Sequence, residues 1–248
     1  SLLVYGHEGD EHLFQAINEY ATISDWLLEN FFANEQKRLS EFVVTNASDV
    51  TYNGKSLPLD LIPSSPRLRK TERELIYELT AKKYSMEALQ GQVGRRLRDD
   101  FNLLKSDYDV IICDCPPGIS VMTESVLAAS HLIIVPTIPD FMSTLGLDLF
   151  TGDIMQNLRD RDIESLPVVL ATRYDDTPHQ KVVLQAMREA ANSKEAEFEM
   201  FNTVIPLKSG FASNPIELGP DPTLAAKWPG EALGIIDKLL KEVQERLK

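Results

Sequence analysis

Residues 108–118 run Tyr-Asp-Val-Ile-Ile-Cys-Asp-Cys-Pro-Pro-Gly, an apolar stretch that ends in an acid and a stiff loop. Val110, Ile111 and Ile112 are apolar without alternation, which indicates a strand covered on both faces, as in a parallel sheet. An acid at the end of such a strand lies at the carboxyl edge of the sheet, where ligands bind in open α/β folds. The pattern therefore predicts a binding edge at Asp114.

Four further apolar runs have the length and composition of strands, and helix-length segments alternate with them. The five predicted strands cover residues 57–63, 108–114, 131–136, 166–172 and 202–206. The predicted helices cover residues 86–104, 123–130, 143–158, 179–192 and 230–247. Such alternation implies right-handed parallel crossovers, hence an α/β fold with a doubly wound, mostly parallel sheet and helices on both faces. One domain over 1–248, with an irregular N-terminal elaboration at 7–56, is the simplest account.

Smaller signals predict local structure towards both ends of the chain. Thr22 precedes a predicted helix over 25–32, and Asn53-Gly54 is typical of a tight hairpin turn. The last helix carries an apolar stripe that either docks on the core or seeks a membrane surface. We expect docking, because its polar face mixes acids and bases rather than being basic. The stripe consists of Leu233, Ile236, Leu240, Val243 and Leu247.

The composition, 43% hydrophobic and 25% charged, is that of a globular protein rather than a disordered one. No apolar run approaches the roughly 18 residues of a membrane span. The net charge of -13 argues against a broad basic surface, so nucleic-acid binding would need a local patch. Two basic clusters are predicted to be salt-bridged helix faces rather than such a patch. They are Arg67, Arg69, Lys70 and Arg73, and then Arg95, Arg96 and Arg98.

The cysteines and one histidine pair have structural interpretations. Cys113 and Cys115 would lie on one face of the predicted strand, about 7 Å apart, which does not suit a disulfide. We expect small buried core residues in a reducing cytoplasm. His7 and His12 are interrupted by Gly9, so a solvated loop fits better than a metalloprotease helix.

The chemistry that the sequence predicts centres on Asp114. A carboxylate at a strand end can hold Mg²⁺, directly or through water, against nucleotide phosphates. Pro116, Pro117 and Gly118 force the chain out of the strand into a loop that can sense a γ-phosphate.

Residues 108–150 resemble the ParA/MinD family of partitioning ATPases, in which a strand ending in Asp-Cys-Pro-Pro precedes a helix and an Ile-Val-Pro strand. Three more segments fall in the family's order: 59–65 is similar to its Asp-Leu-Ile-Pro-Ser-Asn strand, 171–175 to its Thr-Arg-Tyr segment, and 203–206 to the segment that closes over adenine. The resemblance implies ATP and Mg²⁺ as ligands. It gives Asp114 the catalytic magnesium-water position and makes Pro116 to Gly118 the switch that follows. Thr172, Arg173 and Pro206 fall in its base-binding segments.

The family's phosphate loop, Lys-Gly-Gly-x-Gly-Lys-[Ser/Thr], has no counterpart in this sequence. Gly54-Lys55-Ser56 lacks upstream glycines and falls in the predicted hairpin turn, so we interpret it as a surface loop. Residues 1–6 resemble the family sequence just after its second strand, so we expect the sequence to begin about forty residues late. A sheet without its central first strand would leave interior edges unpaired, so we expect the missing strands in the native protein.

The resemblance implies a cytoplasmic ATPase that dimerises on ATP and positions or segregates DNA or another cargo. A ParB-like activator would stimulate hydrolysis, and the 248-residue chain alone would be inactive. Non-specific DNA binding would use Lys208, Lys227, Lys238 and Lys241, and membrane binding is not expected. Two alternatives stay open. One is a ParA-like scaffold that binds but does not hydrolyse, and the other is an iron–sulfur reductase ATPase, which the cysteine spacing disfavours.

Overall fold

The computed structural model describes residues 15, 17–19, 21–33, 35–81, 85–116, 118–156, 166–212 and 222–248. The chain divides into two compact units, of which unit 1 comprises 1–129 with 216–224, and unit 2 comprises 130–215 with 225–248. The interpretations of residues 1–6 and of His7 and His12 lie outside the described residues. The prediction of one domain stays a prediction.

Unit 1 is a helical layer with one small hairpin. Its elements are α1 (Ile23–Phe31), a 3₁₀ turn (Leu39–Phe42), β1 (Thr51–Tyr52), β2 (Lys55–Ser56), α2 (Leu68–Ala81), α3 (Met86–Leu104) and α4 (Val121–Ala129). The amide of Thr22 donates to Asp25 Oδ2 at 3.1 Å, and α1 begins directly after Thr22, two residues before the predicted start. Leu89, Val93 and Leu97 are buried along one face of α3, as their spacing predicts.

The β1–β2 hairpin is closed by the predicted turn. Asn53 and Gly54 have φ angles of 50° and 73°, the left-handed pair that a type I′ turn requires. The turn places Gly54, Lys55 and Ser56 on the surface of this hairpin, which confirms the prediction of a surface loop.

A buried acid organises the core of unit 1. Asp100, 1% exposed, accepts hydrogen bonds from Trp26 Nε1 at 3.0 Å, from the Leu39 amide at 3.2 Å and from Arg38 Nη1 at 3.2 Å. Arg96 lies 3.9 Å away and also donates to the Lys37 carbonyl. These contacts confirm an ion pair on the Arg95–Arg98 helix face, and Lys70 pairs with Glu74 on α2.

Unit 2 contains the parallel sheet. Its elements are β3 (Ile134–Thr137), α5 (Phe141–Leu149), a π-helical turn (Phe150–Met155), β4 (Val168–Ala171), α6 (Pro178–Ala191), β5 (Glu199–Met200), α7 (Ser209–Ala212) and α9 (Ala232–Arg246), with the short α8 (Leu224–Lys227) at the sequence boundary between the units. The strands follow the order β3-β4-β5, and both neighbouring pairs are parallel.

Both faces of this sheet are covered. Val169 packs with Leu147 and Met187 on one face, whereas Val168 and Leu170 pack with residues of α9 on the other. All four β4 residues are buried, alternately on one face of the sheet and on the other. This burial on both faces explains why the run is apolar throughout. The parallel sheet and its two covered faces confirm the predicted doubly wound α/β fold.

Three predicted strands are wrong. Residues 57–63 and 202–206 form only isolated bridges, Val44↔Leu61 and Tyr174↔Pro206, and residues 108–114 form no strand. Among the described residues nothing pairs with 109–114, and an apolar run becomes a strand only where a neighbouring backbone accepts its hydrogen bonds. The third sheet strand is β5 instead.

Other side-chain predictions need correction. Leu239 and Val243 of α9 face the core, whereas Leu240 and Leu247 are 51% and 43% exposed, so α9 docks with a stripe shifted from the predicted one. Cys113 is exposed and Cys115 half-buried, so the prediction of buried core thiols is wrong. Lys227 is only 1% exposed, which removes it from any DNA-binding surface. None of the helices in the described part combines the length and apolar character that a bilayer crossing needs.

Candidate functional site

The loop between Tyr108 and Ser120 presents Asp114 to solvent. Asp114, Pro116 and Gly118 are exposed, and Pro117 lies outside the described residues. Gly118 has a φ of 106°, which an L side chain rarely adopts, so the sharp exit predicted for the Pro-Pro-Gly sequence is present at its glycine. Within the described part, no hydrogen bond or ion pair occupies the Asp114 carboxylate. That carboxylate is open to a cation.

The upstream end of this loop is held by a side-chain contact. The Tyr108 hydroxyl donates to Asp60 Oδ2 at 2.6 Å, and the other Asp60 oxygen accepts the Asn46 amide at 2.7 Å. The hydrogen bond to Asp60 raises the pKa of Tyr108 to about 12, since the phenol donates to a carboxylate. Asp60 thus ties the loop to the 44–61 segment, a role that the sequence alone does not predict.

The downstream end is held at the beginning of α4. The Met122 amide donates to Glu72 Oε1 at 3.0 Å, and the Thr123 amide donates to Ser120 Oγ at 3.2 Å. Glu72 is 8% exposed and reaches this helix end from α2. An acid at a helix N-terminus satisfies free amides and complements the helix dipole.

The middle of the loop exposes apolar side chains. Val110 is 56% exposed, Ile112 is 87% exposed and Ile119 is 47% exposed. Such exposure contrasts with the two-sided burial that the sequence pattern predicts. The residues described in this chain therefore do not supply the covering layers that Val110 and Ile112 require.

The residues predicted to contact the nucleotide base lie near the carboxyl end of β4 in unit 2. The Thr172 amide donates to the Thr137 carbonyl at 2.9 Å, and the Ile205 amide to the Ala171 carbonyl at 2.9 Å. Tyr174 pairs with Pro206 through the bridge beyond them. The structure thus places Thr172, Arg173 and Pro206 on neighbouring segments of one sheet edge, while Asp114, Pro116 and Gly118 belong to unit 1. Their role in base binding stays a prediction.

Arg173 has an unusual backbone. Its φ of 53° places a non-glycine residue in the left-handed region, and its side chain is exposed. Next to it, the Tyr174 hydroxyl donates to Asp176 at 2.8 Å, and Lys181 pairs with the same carboxylate at 3.0 Å. These two contacts lower the pKa of Asp176, the Tyr174 contact first. The polar contacts hold the turn that follows Arg173.

Glu242 of α9 holds the segment that leads to Pro206. Its carboxylate accepts the Asn202 amide at 2.7 Å, the Thr203 amide at 2.8 Å and the Thr203 hydroxyl at 2.5 Å. Burial raises the pKa of Glu242, but these hydrogen bonds outweigh burial and the pKa is lowered overall. Sequence reasoning missed this residue, because one Glu among many on a polar helix face gives no signal.

The helix that follows β3 also begins at this edge. Asp140 Oδ1 accepts the Ser143 amide at 2.7 Å, and that backbone hydrogen bond lowers the pKa of Asp140. This N-cap explains why the helix begins at Phe141, two residues before the predicted start.

The single carboxylate of Asp114 fits a magnesium ion that is bound together with nucleotide phosphates, rather than a metal ion held by protein side chains alone. Within the described residues, no group of three or more His, Cys, Asp or Glu side chains could hold a metal. Mg²⁺ commonly takes one or two carboxylates and completes its shell with water and substrate phosphates. An open, single carboxylate at Asp114 suits that arrangement.

Comparison with known proteins identifies relatives. A family model described as an AAA domain matches residues 14–166. Protein SopA of Escherichia coli K12 is 30% identical over 145 residues, which cover 56% of this chain and 36% of SopA. Chromosome partitioning protein ParA of Myxococcus xanthus is 31% identical over 96 residues, covering 39% and 30%. Sporulation initiation inhibitor protein Soj of Bacillus subtilis is 29% identical over 150 residues, covering 60% and 53%.

Because the family model covers more than half of the chain, the protein belongs to the AAA-domain family, with an α/β fold of the P-loop NTPase type. Within that family its relatives place it with the ParA/MinD proteins, as the motif order predicts. The chain spans about half the length, or less, of the curated relatives it matches.

Proposed function

We propose that this chain is part of a ParA-like partitioning ATPase that binds ATP with Mg²⁺. The observation that carries the proposal is the open Asp114 carboxylate, in a loop held at both ends, in a chain whose relatives include a chromosome partitioning protein. Mg²⁺ would neutralise charge on the nucleotide phosphates.

Each predicted residue has a task in this proposal. Asp114 holds the magnesium or its water, and Pro116, Pro117 and Gly118 respond to the γ-phosphate. Thr172, Arg173 and Pro206 contact the base from the carboxyl end of β4. The phosphates themselves need amides and a lysine from a Gly-Lys-[Ser/Thr] loop, which this sequence lacks outside the hairpin.

The further steps of the proposal rest on the resemblance to the ParA/MinD family. The protein would act in the cytoplasm as a homodimer closed by ATP, and a ParB-like activator would stimulate hydrolysis and reopen it. Cargo would be DNA or another cellular body. Any direct DNA contact would use Lys208, Lys238 and Lys241, all exposed, although Lys208 already pairs with Glu231 at 2.5 Å.

A second candidate is a ParA-like scaffold that keeps the fold and the dimer surface without hydrolysis. The sequence observation that favours it is the lack of a phosphate loop among these 248 residues. A scaffold would dimerise and bind its partner without releasing phosphate.

Calorimetry separates these candidates. The ligand is a non-hydrolysable ATP analogue with Mg²⁺, titrated into the 248-residue chain and into a form of the protein that carries a phosphate loop. We expect binding by the second and little by the first. Tight binding by the 248-residue chain would contradict the proposal that nucleotide binding needs a phosphate loop. Binding without phosphate release, even with the partner present, would favour the scaffold.

A further inference from the structure

The chain that follows β5 leaves the sheet and rejoins it in a different register. The Phe201 amide donates to the Val169 carbonyl at 3.0 Å. The next ladder bond in this direction joins the Ile205 amide to the Ala171 carbonyl at 2.9 Å. The two carbonyls are two residues apart, whereas the two amides are four residues apart. Because a regular parallel ladder advances equally on both strands, residues 202–204 form a bulge that contains two extra residues.

The segment after β4 has a matching irregularity at Arg173. A regular ladder would next use the Arg173 amide as the donor to the Ile205 carbonyl. The Tyr174 amide takes that place at 3.1 Å, and Arg173 has a φ of 53°. The Leu207 amide then donates to the Tyr174 carbonyl at 2.8 Å, which pairs Tyr174 with Pro206. Bulges often re-aim side chains beside binding sites, and these two decide which residue lies opposite Tyr174.

Two side chains of α9, one helical turn apart, hold the bulge and the strand that precedes it. Arg246 donates to the Glu199 carboxylate, and its guanidinium lies 5.1 Å from the centre of the Phe201 ring. Glu242 accepts the first two amides of the bulge at 2.7 and 2.8 Å, together with the Thr203 hydroxyl at 2.5 Å. The helix therefore contacts the end of the regular strand and the amides that leave it.

A second register is compatible with the side-chain pattern of this segment. Without the bulge, the Thr203 amide would donate to the Ala171 carbonyl in place of the Ile205 amide. Because side chains alternate with a period of two, such a slip keeps each side chain on its own face of the sheet. Ile205 packs into the core cluster beside α9, and the three hydrogen bonds to Glu242 favour the observed register further. The slip would move Pro206 by about 6–7 Å along the neighbouring strand.

We propose that Glu242 is a positioning residue for the base site, because it selects the register in which Pro206 lies beside Tyr174. The inference rests on the proposed function, in which Arg173 and Pro206 contact the nucleotide base. Glu242 acts through the backbone of the bulge that it holds. A residue on the last helix thereby controls the shape of a site at the carboxyl edge of the sheet.

A small set of substitutions tests this role. Glu242→Ala removes all three acceptor contacts, and Glu245→Ala is its matched control, because Glu245 is an exposed acid on the same helix. Thr203→Val removes the hydroxyl donor and keeps both the backbone amide and the β-branched shape. Glu242→Gln keeps an acceptor oxygen and should restore part of the loss.

The first measurement is hydrogen exchange in the 248-residue chain, without nucleotide. The Phe201 amide is bonded in both registers, whereas a slip releases the Leu207 amide from Tyr174. We expect Glu242→Ala to accelerate exchange at Leu207 at least about tenfold more than at Phe201, and Thr203→Val about threefold more. Glu245→Ala should leave the ratio of the two rates unchanged. Equal acceleration of both amides in Glu242→Ala would indicate a general loss of stability and would overturn the proposal.

The second measurement concerns the base. In a form that carries a phosphate loop, we expect the preference for ATP over GTP, measured as the ratio of dissociation constants, to fall about tenfold in Glu242→Ala. The control Glu245→Ala should keep the preference, and a general destabilisation would weaken both nucleotides alike. An unchanged ratio in Glu242→Ala would overturn the base role. If the wild-type form binds neither nucleotide, the proposed function fails and the base role fails with it, while the exchange rates still decide whether Glu242 sets the register.

Discussion

Replacing Glu242 by alanine removes one carboxylate that accepts three hydrogen bonds from Asn202 and Thr203. A hydrogen bond to a charged group contributes about 1.5–3 kcal/mol when it is buried. Glu242 is only half-buried, and water can reach the freed amides, so we expect the free energy of unfolding of unit 2 to fall by about 2 kcal/mol in total. The control is Glu245→Ala, an exposed acid on the same helix, with a change under about 0.5 kcal/mol.

Hydrogen exchange measures this locally. A loss of about 2 kcal/mol should accelerate exchange of the β4 amides about 30-fold, while α3 of unit 1 serves as an internal reference. Equal acceleration in Glu242→Ala and Glu245→Ala would refute the reasoning, as would no acceleration in either.

The same carboxylate predicts a pH dependence. The pKa of Glu242 is lowered from its ordinary value of 4.5, so its stabilisation is present above that value and is lost as the pH falls through the lowered pKa. In Glu242→Gln, the free energy of unfolding of unit 2 should therefore fall less steeply as the pH drops below about 4.5. An unchanged acid profile in Glu242→Gln would mean that the hydrogen bonds do not depend on the charge.

The remaining predictions concern the core, two glycines, the candidate magnesium ligand and DNA. Asp100→Ala should lower the free energy of unfolding of unit 1 by about 3–5 kcal/mol in urea denaturation, because Arg96 loses its carboxylate partner. Replacement of the exposed Asp99 by alanine should leave that free energy unchanged. Gly54→Ala should destabilise by about 1 kcal/mol through its φ of 73°, while Gly146→Ala, on a helix with open space at its Cβ, should stabilise by a similar amount. In a form that hydrolyses ATP, Asp114→Ala should slow phosphate release at least about tenfold with an unchanged circular dichroism spectrum. DNA retention should be weak, dependent on ATP and lost at physiological salt, and Lys238→Glu with Lys241→Glu should abolish it; retention at high salt would contradict this.

Elements with strong periodicity could be predicted from the sequence. The spacing of Leu89, Val93 and Leu97 predicts α3, and the unbroken apolar run of β4 predicts its two-sided burial. The prediction fails at 108–114, because a strand depends on a neighbouring backbone and not only on its own residues. The identity of Asp114 as the candidate ligand comes from its motif, whereas the partners of Asp60, Glu72 and Glu242 depend on long-range contacts that no local pattern carries.

The exposed run Val110–Cys113 has a consequence for solubility. Four consecutive residues of high β propensity and no charge can pair with the same segment of another molecule, the first step of aggregation. Asp109 and Asp114 flank the run as gatekeepers, since stacking copies would bring like charges together. Asp114 would thus protect the chain from self-association as well as serve a ligand. Loss of activity in Asp114→Ala should accordingly be measured alongside light scattering, with Asp109→Ala as the variant that removes a gatekeeper and leaves the proposed magnesium ligand in place.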